Sequence, residues 1–264
     1  TTGPLALGGD LTVAGAVSND GTIAVGGNSF TFAGYSGIAG TVRVATGSVS
    51  NTGAASTIST LDVTTSAGID GGAGLAVSAA TYNASPDLST TGAVSLPAGV
   101  LGDLTVTSGA LSLAGPSTSM SATVSSGALS LGGNLTVSGA VSNDGTIAVG
   151  GNAFAFAGYA GNADTVTSNS GTIVNTGAAS TISNLTVTTG ATLDGGAGLA
   201  VSAATYNASP DLTTAGTVSL PAGALGDLAV TNGDLSLAGP GTAASATVSA
   251  GSLSLGGDLT VSGS

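Results

Sequence analysis

Short alternations of apolar and polar residues, separated by small polar corners, run along the whole chain. Modules such as ALSLGG, NLTVSG and AVSNDG place two apolar residues two positions apart and end near Gly, Asn or Asp. An alternation with a period of two predicts a short β-strand with one buried face. Gly, Asn and Asp supply the backbone conformations and local hydrogen bonds that tight bends need. The pattern therefore predicts a succession of short strands and corners, and no helical periodicity competes with it.

These modules recur in groups of three. The segments LTVTSGALSLAG at 104–115, ATVSSGALSLGG at 122–133 and AVSNDGTIAVGG at 140–151 align with one another at a constant offset. Each segment starts 18 residues after the previous one. Three strands and three corners in 18 residues describe one coil of a roughly triangular solenoid. A single coil buries little apolar surface and is stable only when it is stacked on its neighbours. We therefore predict an all-β parallel β-helix, or β-solenoid, with about 18 residues per turn.

A longer repeat is superimposed on this pattern. The string GAVSNDGTIAVGGN occurs at 15–28 and again, unchanged, at 139–152. We predict one continuous β-solenoid over residues 1–264, with repeat units at 3–126 and 127–250 and a partial third unit at 251–264. The corner positions that precede the apolar pairs, almost all of them glycines, are 21, 47, 66, 92, 109, 127 and 145. Six spacings separate them, which predicts six turns per unit.

Two of these spacings, from 21 to 47 and from 66 to 92, are long and predict turns with about eight extra residues. They contain the stretches FAGYSGIA and TYNASPDL, whose second copies lie in the next repeat. All four tyrosines lie there, and we expect these inserts to form a ridge along one flank. In one interpretation the tyrosine rings pack the inserts onto the solenoid wall. In the other they make lateral contacts between filaments or stack on sugars. The residues concerned are Tyr35, Tyr82, Tyr159 and Tyr206.

The phenylalanines follow the strand alternation instead. Phe30, Phe32, Phe154 and Phe156 alternate as strand residues do and are predicted core residues.

Charge narrows the range of functions. The net charge is −12, and Arg43 is the single basic residue. No basic patch is available for nucleic acid or for anionic lipid, and no apolar run is long enough for membrane insertion. The absence of His and Cys removes nucleophilic triads and soft metal sites. Arg43 is the only candidate base for a lyase, and the second repeat has Thr167 in its place. We predict that the protein is not an enzyme and carries no organic cofactor.

Recurring aspartates are the candidate ligands for a metal ion. They are Asp20, Asp70, Asp87, Asp103, Asp144, Asp194, Asp211 and Asp227. Calcium takes six to eight oxygen ligands, often from several carboxylates. Here Asp mostly occurs singly, in NDGT, LDGG and GDLT corners, and the nonapeptide calcium repeat GGxGxDxUx is missing. Two interpretations stay open: the aspartates form turns, or they bind calcium.

Threonine supports a further alternative, since an in-register face of Thr would suit ice binding. Thr105 and Thr123 stack in the predicted register, but the column continues with Val141 before Thr167 and Thr186. This interruption disfavours ice binding.

The stretch GAVSNDGTIAVGG resembles the G-x-L-x-N-x-G-x-I turns of filamentous haemagglutinin-like exoproteins and related repetitive bacterial surface adhesins. The resemblance covers the regular turns, about two thirds of the chain. It implies a secreted, right-handed parallel β-helix that serves as an adhesin shaft or a matrix fibre. Turns of three hexads also resemble left-handed hexapeptide-repeat helices, although only some modules have the aliphatic-Gly pattern of that family.

Together, these features suggest an extracellular structural repeat protein. We expect a stiff rod or filament in a cell-surface adhesin or biofilm matrix, associating with itself end to end or laterally. Extracellular polysaccharide is a further expected partner. The alternative is a module that binds glycans or calcium through the tyrosine stretches and the corner aspartates.

Overall fold

The computed structural model describes residues 4–263, and within them the fold is an all-β parallel β-solenoid. The chain divides into two compact units, residues 1–133 and 134–264. No helix in the described part of the chain is long and apolar enough to cross a membrane. Both units are built from short strands joined by corners.

The first unit consists of short parallel strands. Their bounds are β1 Leu5–Ala6, β2 Leu11–Ser18, β3 Thr22–Gly26, β4 Ser29–Ser36, β5 Thr41–Val44, β6 Ser48–Asn51, β7 Ser56–Val63, β8 Gly68–Asp70, β9 Gly74–Tyr82, β10 Asp87–Thr90, β11 Ala93–Leu96, β12 Gly99–Val100, β13 Asp103–Val106, β14 Ala110–Leu113, β15 Ser117–Ser119, β16 Ser121–Val124 and β17 Ala128–Leu131. One ladder runs β1-β3-β5-β7-β9-β11-β14-β17 and another runs β2-β4-β6-β8-β10-β13-β16, while β12 pairs with β15. Each strand thus pairs with a strand two or three places further along the chain, which a solenoid requires because the chain circles once before it meets itself.

The second unit repeats this arrangement. Its strands are β18 Leu135–Asn143, β19 Thr146–Gly150, β20 Ala153–Ala160, β21 Thr165–Ser168, β22 Thr172–Asn175, β23 Ser180–Val187, β24 Thr192–Asp194, β25 Gly198–Tyr206, β26 Asp211–Thr214, β27 Thr217–Leu220, β28 Asp227–Val230, β29 Asp234–Leu237, β30 Gly241–Ala243, β31 Ser245–Val248, β32 Ser252–Leu255 and β33 Leu259–Val261. One ladder runs β18-β20-β22-β24-β26-β28-β31 and another runs β19-β21-β23-β25-β27-β29-β32, while β30 pairs with β33.

A typical turn has about 19 residues. Leu11 pairs with Phe30, one turn further on, and the shortest step in the same ladder leads from Leu88 to Leu104. Long strands round a corner and belong to two faces. In β7, residues 60–63 pair with β5, whereas both halves of the strand pair with β9. Each turn therefore carries three strand segments, as the module pattern predicts.

Small aliphatic side chains fill the interior of each unit. Inward positions such as Val42, Leu61 and Leu111 are fully buried, while the residues between them face outward. The four phenylalanines are 0% exposed, which confirms their predicted core position. The Phe30 and Phe32 ring centroids lie 5.1 Å apart and the Phe154 and Phe156 centroids 5.2 Å apart, so each pair fills one turn with aromatic volume.

The predicted long turns are not found in the described part of the chain. Ile23 in β3 and Val49 in β6 follow the glycines that define one such spacing, but they lie in different ladders. The distance along the chain between these two glycines therefore corresponds to one full turn of the solenoid plus the length of one further face. Tyr35 lies within β4 and Tyr82 within β9, so the stretches taken as inserts are ordinary strands and corners. Because Tyr35 pairs with Val17 and Tyr82 with Val63, in different ladders, the expected ridge on one flank is wrong.

The repeat is also not a whole number of turns. Within the first unit, Leu5 belongs to the column of paired residues that reaches Ala80, in the second half of β9. Leu129, its equivalent in the next repeat, belongs to the column that passes Leu75, in the first half of β9. Residues in equivalent repeat positions thus lie on different faces. The prediction of six turns per repeat was wrong, because glycine corners look alike on all three faces.

Candidate functional site

Several corner aspartates clamp one turn to the next. Asp20 Oδ1 accepts a hydrogen bond from the Ile38 backbone N–H at 2.9 Å, one turn further along the chain. Asp87 Oδ1 accepts one from the Asp103 N–H at 2.9 Å. The second unit repeats both clamps, from Asn162 N–H to Asp144 at 3.0 Å and from Asp227 N–H to Asp211 at 2.9 Å. These carboxylates therefore satisfy backbone donors at the corners between strands.

The remaining candidate aspartates also accept hydrogen bonds. Asp70 and Asp194 accept the N–H of the residue two positions later, each at 3.0 Å, in the local geometry that favours Asp in turns. Asp103 and Asp227 accept the hydroxyls of Ser121 and Ser245 in the next turn, each at 2.7 Å. All eight carboxylates thus have a structural role that follows from their corner positions.

Three of these carboxylates border a shallow groove of about 350 Å³ on the outer surface of β8, β10 and β13. Asp70, Asp87 and Asp103 lie there among Ser and Thr hydroxyls. One oxygen of each already accepts a hydrogen bond, as described above. Within residues 4–263, no group of three acidic, His or Cys side chains is arranged to hold a metal ion. Calcium binding by these residues remains a prediction.

Buried asparagines form a second set of clamps, which sequence reasoning missed. Asn51 is 1% exposed, and its Nδ2 donates to Ala54 O at 2.9 Å and to Gly74 O, in the following turn, at 2.6 Å. Its Oδ1 accepts the Gly53 N–H at 3.2 Å. Asn175 repeats all three bonds in the second unit. The duplicated string NTGAAS, with Asn at an inward position before a corner, is the signal that could have revealed them.

Tyr35 and Tyr159 lie in the interior, with exposures of 5% and 4%. Neither ring is available for stacking on a sugar or for lateral contact, so the surface interpretation is wrong for these two residues. Tyr35 Oη accepts a hydrogen bond from Asn19 Nδ2 at 2.6 Å, and Tyr159 Oη accepts one from Asn143 at 2.8 Å. Burial raises the pKa of Tyr35, with the Asn19 hydrogen bond acting in the opposite direction.

The two units differ beside this tyrosine. Tyr159 donates its hydroxyl proton to Asp164 Oδ2 at 2.6 Å, and Asp164 is fully buried. The other oxygen of Asp164 accepts the Ser183 N–H at 2.9 Å. In the first unit the equivalent residue is Gly40. Burial, followed by the hydrogen bond to Asp164, raises the pKa of Tyr159 well above its usual value.

Tyr82 and Tyr206 are partly buried on a different face. Their rings cover Gly99 and Gly223, where any side chain would overlap the ring. Their hydroxyl oxygens are enclosed and have no hydrogen-bond partner among the residues that the structure describes. Burial raises the pKa of Tyr206 to about 12 and that of the Tyr82 hydroxyl further. These contacts fit the packing interpretation of the tyrosines.

Outward hydroxyls line one column of the first unit. The paired residues in order are Thr12, Thr31, Ser50, Asp70, Ser89, Thr105 and Thr123. The predicted stacking of Thr105 on Thr123 is confirmed. Asp70 interrupts the column, so no continuous threonine face is formed there.

The single basic residue forms the only ion pair within residues 4–263. Arg43 Nε lies 2.7 Å from Asp62 Oδ2, across neighbouring strands β5 and β7. The second unit has the directly paired Thr167 and Thr186 at the same positions. The same pair of outward strand positions thus holds an ion pair in the first unit and a threonine pair in the second.

Two further grooves occupy equivalent positions in the two units, at Ala73–Gly74 and Ala197–Gly198, with volumes of about 420 and 370 Å³. Their walls are Ala, Gly, Ser, Thr, Leu and Val residues, without a charged or aromatic side chain. They offer Ser and Thr hydroxyls, but no aromatic ring on which a sugar could stack. Comparison with known proteins adds no relative, since no family model, curated protein or solved structure matches the chain.

Proposed function

We propose that the protein is an extracellular structural repeat protein, which forms a stiff rod or filament in a bacterial surface adhesin or biofilm matrix. The observation that carries this proposal is the use of its polar side chains. Carboxylates and buried amides join one turn to the next, as in the Asp87 and Asn51 clamps. A protein that uses its polar groups to hold turns together is suited to bearing load.

Two further features support an extracellular structural role. Arg43 is the only site for trypsin-like proteases, and it lies within β5, where strand pairing on both sides hinders access. The resemblance of GAVSNDGTIAVGG to turns of bacterial exoproteins supports a cell-surface location. The outer surface offers mainly small hydroxyl and methyl groups, which suits close lateral contact between copies or with extracellular polysaccharide.

Negative-stain electron microscopy of the purified chain, with and without millimolar calcium, tests this proposal. We expect filaments whose fibre diffraction shows a meridional spacing of about 4.8 Å, because parallel strands would stack along the fibre axis. Magnesium at the same concentration is the control. Monodisperse single chains at all concentrations would overturn the filament proposal. Filaments that require calcium, and not magnesium, would instead support the alternative function, in which corner aspartates are ligands.

A further inference from the structure

One exposed corner of the second unit carries the only Asn-Gly pair in the sequence. Asn232 and Gly233 lie between β28 and β29. Asn232 is exposed, and its side-chain amide has no hydrogen-bond partner among the residues that the structure describes. At the equivalent corner of the first unit, Ser108 donates its hydroxyl to Thr91 O at 3.0 Å, so that side chain is held in place. The amide of Asn232 is therefore free to approach the main chain.

The main-chain nitrogen of the following glycine is free as well. The Gly233 N–H has no hydrogen-bond acceptor within residues 4–263. Its φ is +99°, in the region that favours glycine. A Cβ at this position would lie 2.6 Å from main-chain atoms of Gly216 in the preceding turn, so close packing of the turns requires glycine here. Because glycine has no side chain, its nitrogen is left uncovered next to the Asn232 amide.

The four Asp-Gly pairs of the chain provide an internal comparison, because an aspartate side chain can be attacked by the next main-chain nitrogen in the same way. In all four, the glycine N–H already donates a hydrogen bond at 3.0 Å, and the pairs are Gly21 to Asn19 Oδ1, Gly145 to Asn143 Oδ1, Gly71 to Ser89 O and Gly195 to Thr213 O. A donated N–H keeps its proton and is held away from the preceding side chain. Among the five pairs in which Gly follows Asn or Asp, only the pair at 232–233 thus has a free nitrogen.

We propose that Asn232 is a site of spontaneous deamidation in the folded protein. The Gly233 nitrogen forms a bond to Cγ of Asn232, the bond from Cγ to the side-chain nitrogen breaks, and ammonia leaves with the proton of the Gly233 amide. Water then opens the resulting succinimide ring. Opening at the main-chain carbonyl carbon gives isoaspartate and opening at Cγ gives aspartate, so water is the only co-reactant. This reaction goes beyond the proposed structural function and does not depend on it.

The isoaspartate product alters a corner that is bonded to the next turn. It adds one carbon to the main chain and one negative charge to the surface. Gly233 O accepts the Ser252 N–H at 3.0 Å, and Asp234 Oδ1 accepts the Ser252 hydroxyl at 2.6 Å. A longer main chain displaces both acceptors from Ser252. The modified chain should therefore unfold at a lower urea concentration than the original one.

Incubation of the purified, folded chain at mildly alkaline pH, followed by proteolysis and mass spectrometry of the peptides, measures this reaction. Asn232 should lose its amide at least tenfold faster than any other asparagine, and isoaspartate should be the larger product. Asn232→Ser, which copies the first unit, should abolish the fast reaction. Ser108→Asn places a second Asn-Gly pair at the equivalent corner, where Gly109 also has a positive φ, +80°. This variant should show a second fast site.

The same chain unfolded in urea is the reference for the folded state. Deamidation of Asn232 that is at least tenfold slower in the folded chain than in urea would overturn the proposal, and a smaller difference supports it. Isomerisation of Asp20 or Asp70 in the folded chain as fast as deamidation at Asn232 would overturn the argument from the free nitrogen.

Urea unfolding of aged and fresh samples tests the structural consequence. The aged original chain should have a lower unfolding midpoint than the fresh one, whereas the midpoint of Asn232→Ser should not change with age. Equal midpoints for fresh and fully deamidated chains would show that the corner tolerates the longer main chain, and would overturn the expected displacement from Ser252.

Discussion

Glycine at two equivalent corners is required by the close approach of successive turns. Gly72 and Gly196 have φ values of +47° and +48°, and a Cβ at either would overlap the carbonyl oxygen of Asn51 or Asn175 in the preceding turn. Gly190, in contrast, has open space around it and no left-handed φ. We expect Gly196→Ala to lower the free energy of unfolding by about 2 kcal/mol or more, and Gly190→Ala to change it by less than about 0.5 kcal/mol. Urea denaturation of both variants measures the difference, and equal effects would show that the corner tolerates a side chain.

Tyrosine burial predicts a loss of stability in alkali. All four tyrosine pKa values are raised in the folded protein, chiefly by burial. The unfolded chain therefore releases these protons first, at about pH 10. Stability is then fully present below that pH, and it falls as the pH rises towards the folded-state pKa values. Each buried tyrosine contributes a slope of about 1.4 kcal/mol per pH unit.

The matched measurement uses Tyr206→Phe, which removes the group whose pKa is raised to about 12. Between about pH 10 and pH 12, the free energy of unfolding of this variant should fall less steeply than that of the original protein. The difference in slope should be about 1.4 kcal/mol per pH unit, the contribution of one buried tyrosine. Chemical denaturation at several pH values measures it, and absorbance of tyrosinate reports the ionisation. A slope that is unchanged by Tyr206→Phe would mean that this hydroxyl ionises normally in the folded state.

At the scale of neighbouring strands, a double-mutant cycle can measure the coupling energy of the Arg43–Asp62 pair in β5 and β7. Asp62 is only 15% exposed along its side chain, and its second carboxylate oxygen is enclosed without a partner among the described residues. Arg43→Thr leaves that charge unpaired and should cost about 1 kcal/mol. Arg43→Thr with Asp62→Thr recreates the threonine pair of the second unit and should recover most of this loss. The coupling measured by urea denaturation should be about 0.5–1 kcal/mol.

The reciprocal variant is the control for this cycle. Thr167→Arg with Thr186→Asp installs the ion pair in the second unit, on strands paired in the same register. It should leave stability within about 0.5 kcal/mol of the original protein, because these outward-facing strand positions accept either pair. Additive single and double effects in the first unit would contradict the coupling.

Strand existence was predictable at this scale, while strand placement was not. Alternation in modules such as ALSLGG determines which residues face inward, and it correctly placed Phe30 and Phe32 in the core. The same modules occur on all three faces, so the glycine spacing could not show that Ile23 and Val49 lie in different ladders. The partners of corner residues depend on turn length. Hence Asp87 was recognisable as a corner residue, but its bond to Asp103 N–H, one turn later, was not.

For the molecule as a whole, charge opposes the assembly that we propose. The net charge is −12 with a single cation, so two approaching copies repel each other over the Debye length. This length shrinks from about 30 Å at 0.01 M salt to about 8 Å at 0.15 M. We therefore expect the assembled fraction of the chain to increase with sodium chloride over this range, as measured by sedimentation velocity.

Calcium and magnesium chloride at equal ionic strength distinguish screening from ligand binding. If the carboxylates act as hydrogen-bond acceptors between turns, as Asp20 and Asp144 do, both salts should promote assembly to a similar extent. Selective binding would instead favour calcium, which accepts more oxygen ligands in less regular geometry than magnesium does. A calcium effect at least tenfold stronger than that of magnesium would contradict simple screening. Assembly that weakens as salt is added would contradict the electrostatic argument itself, since repulsion between like-charged chains can only decrease with ionic strength.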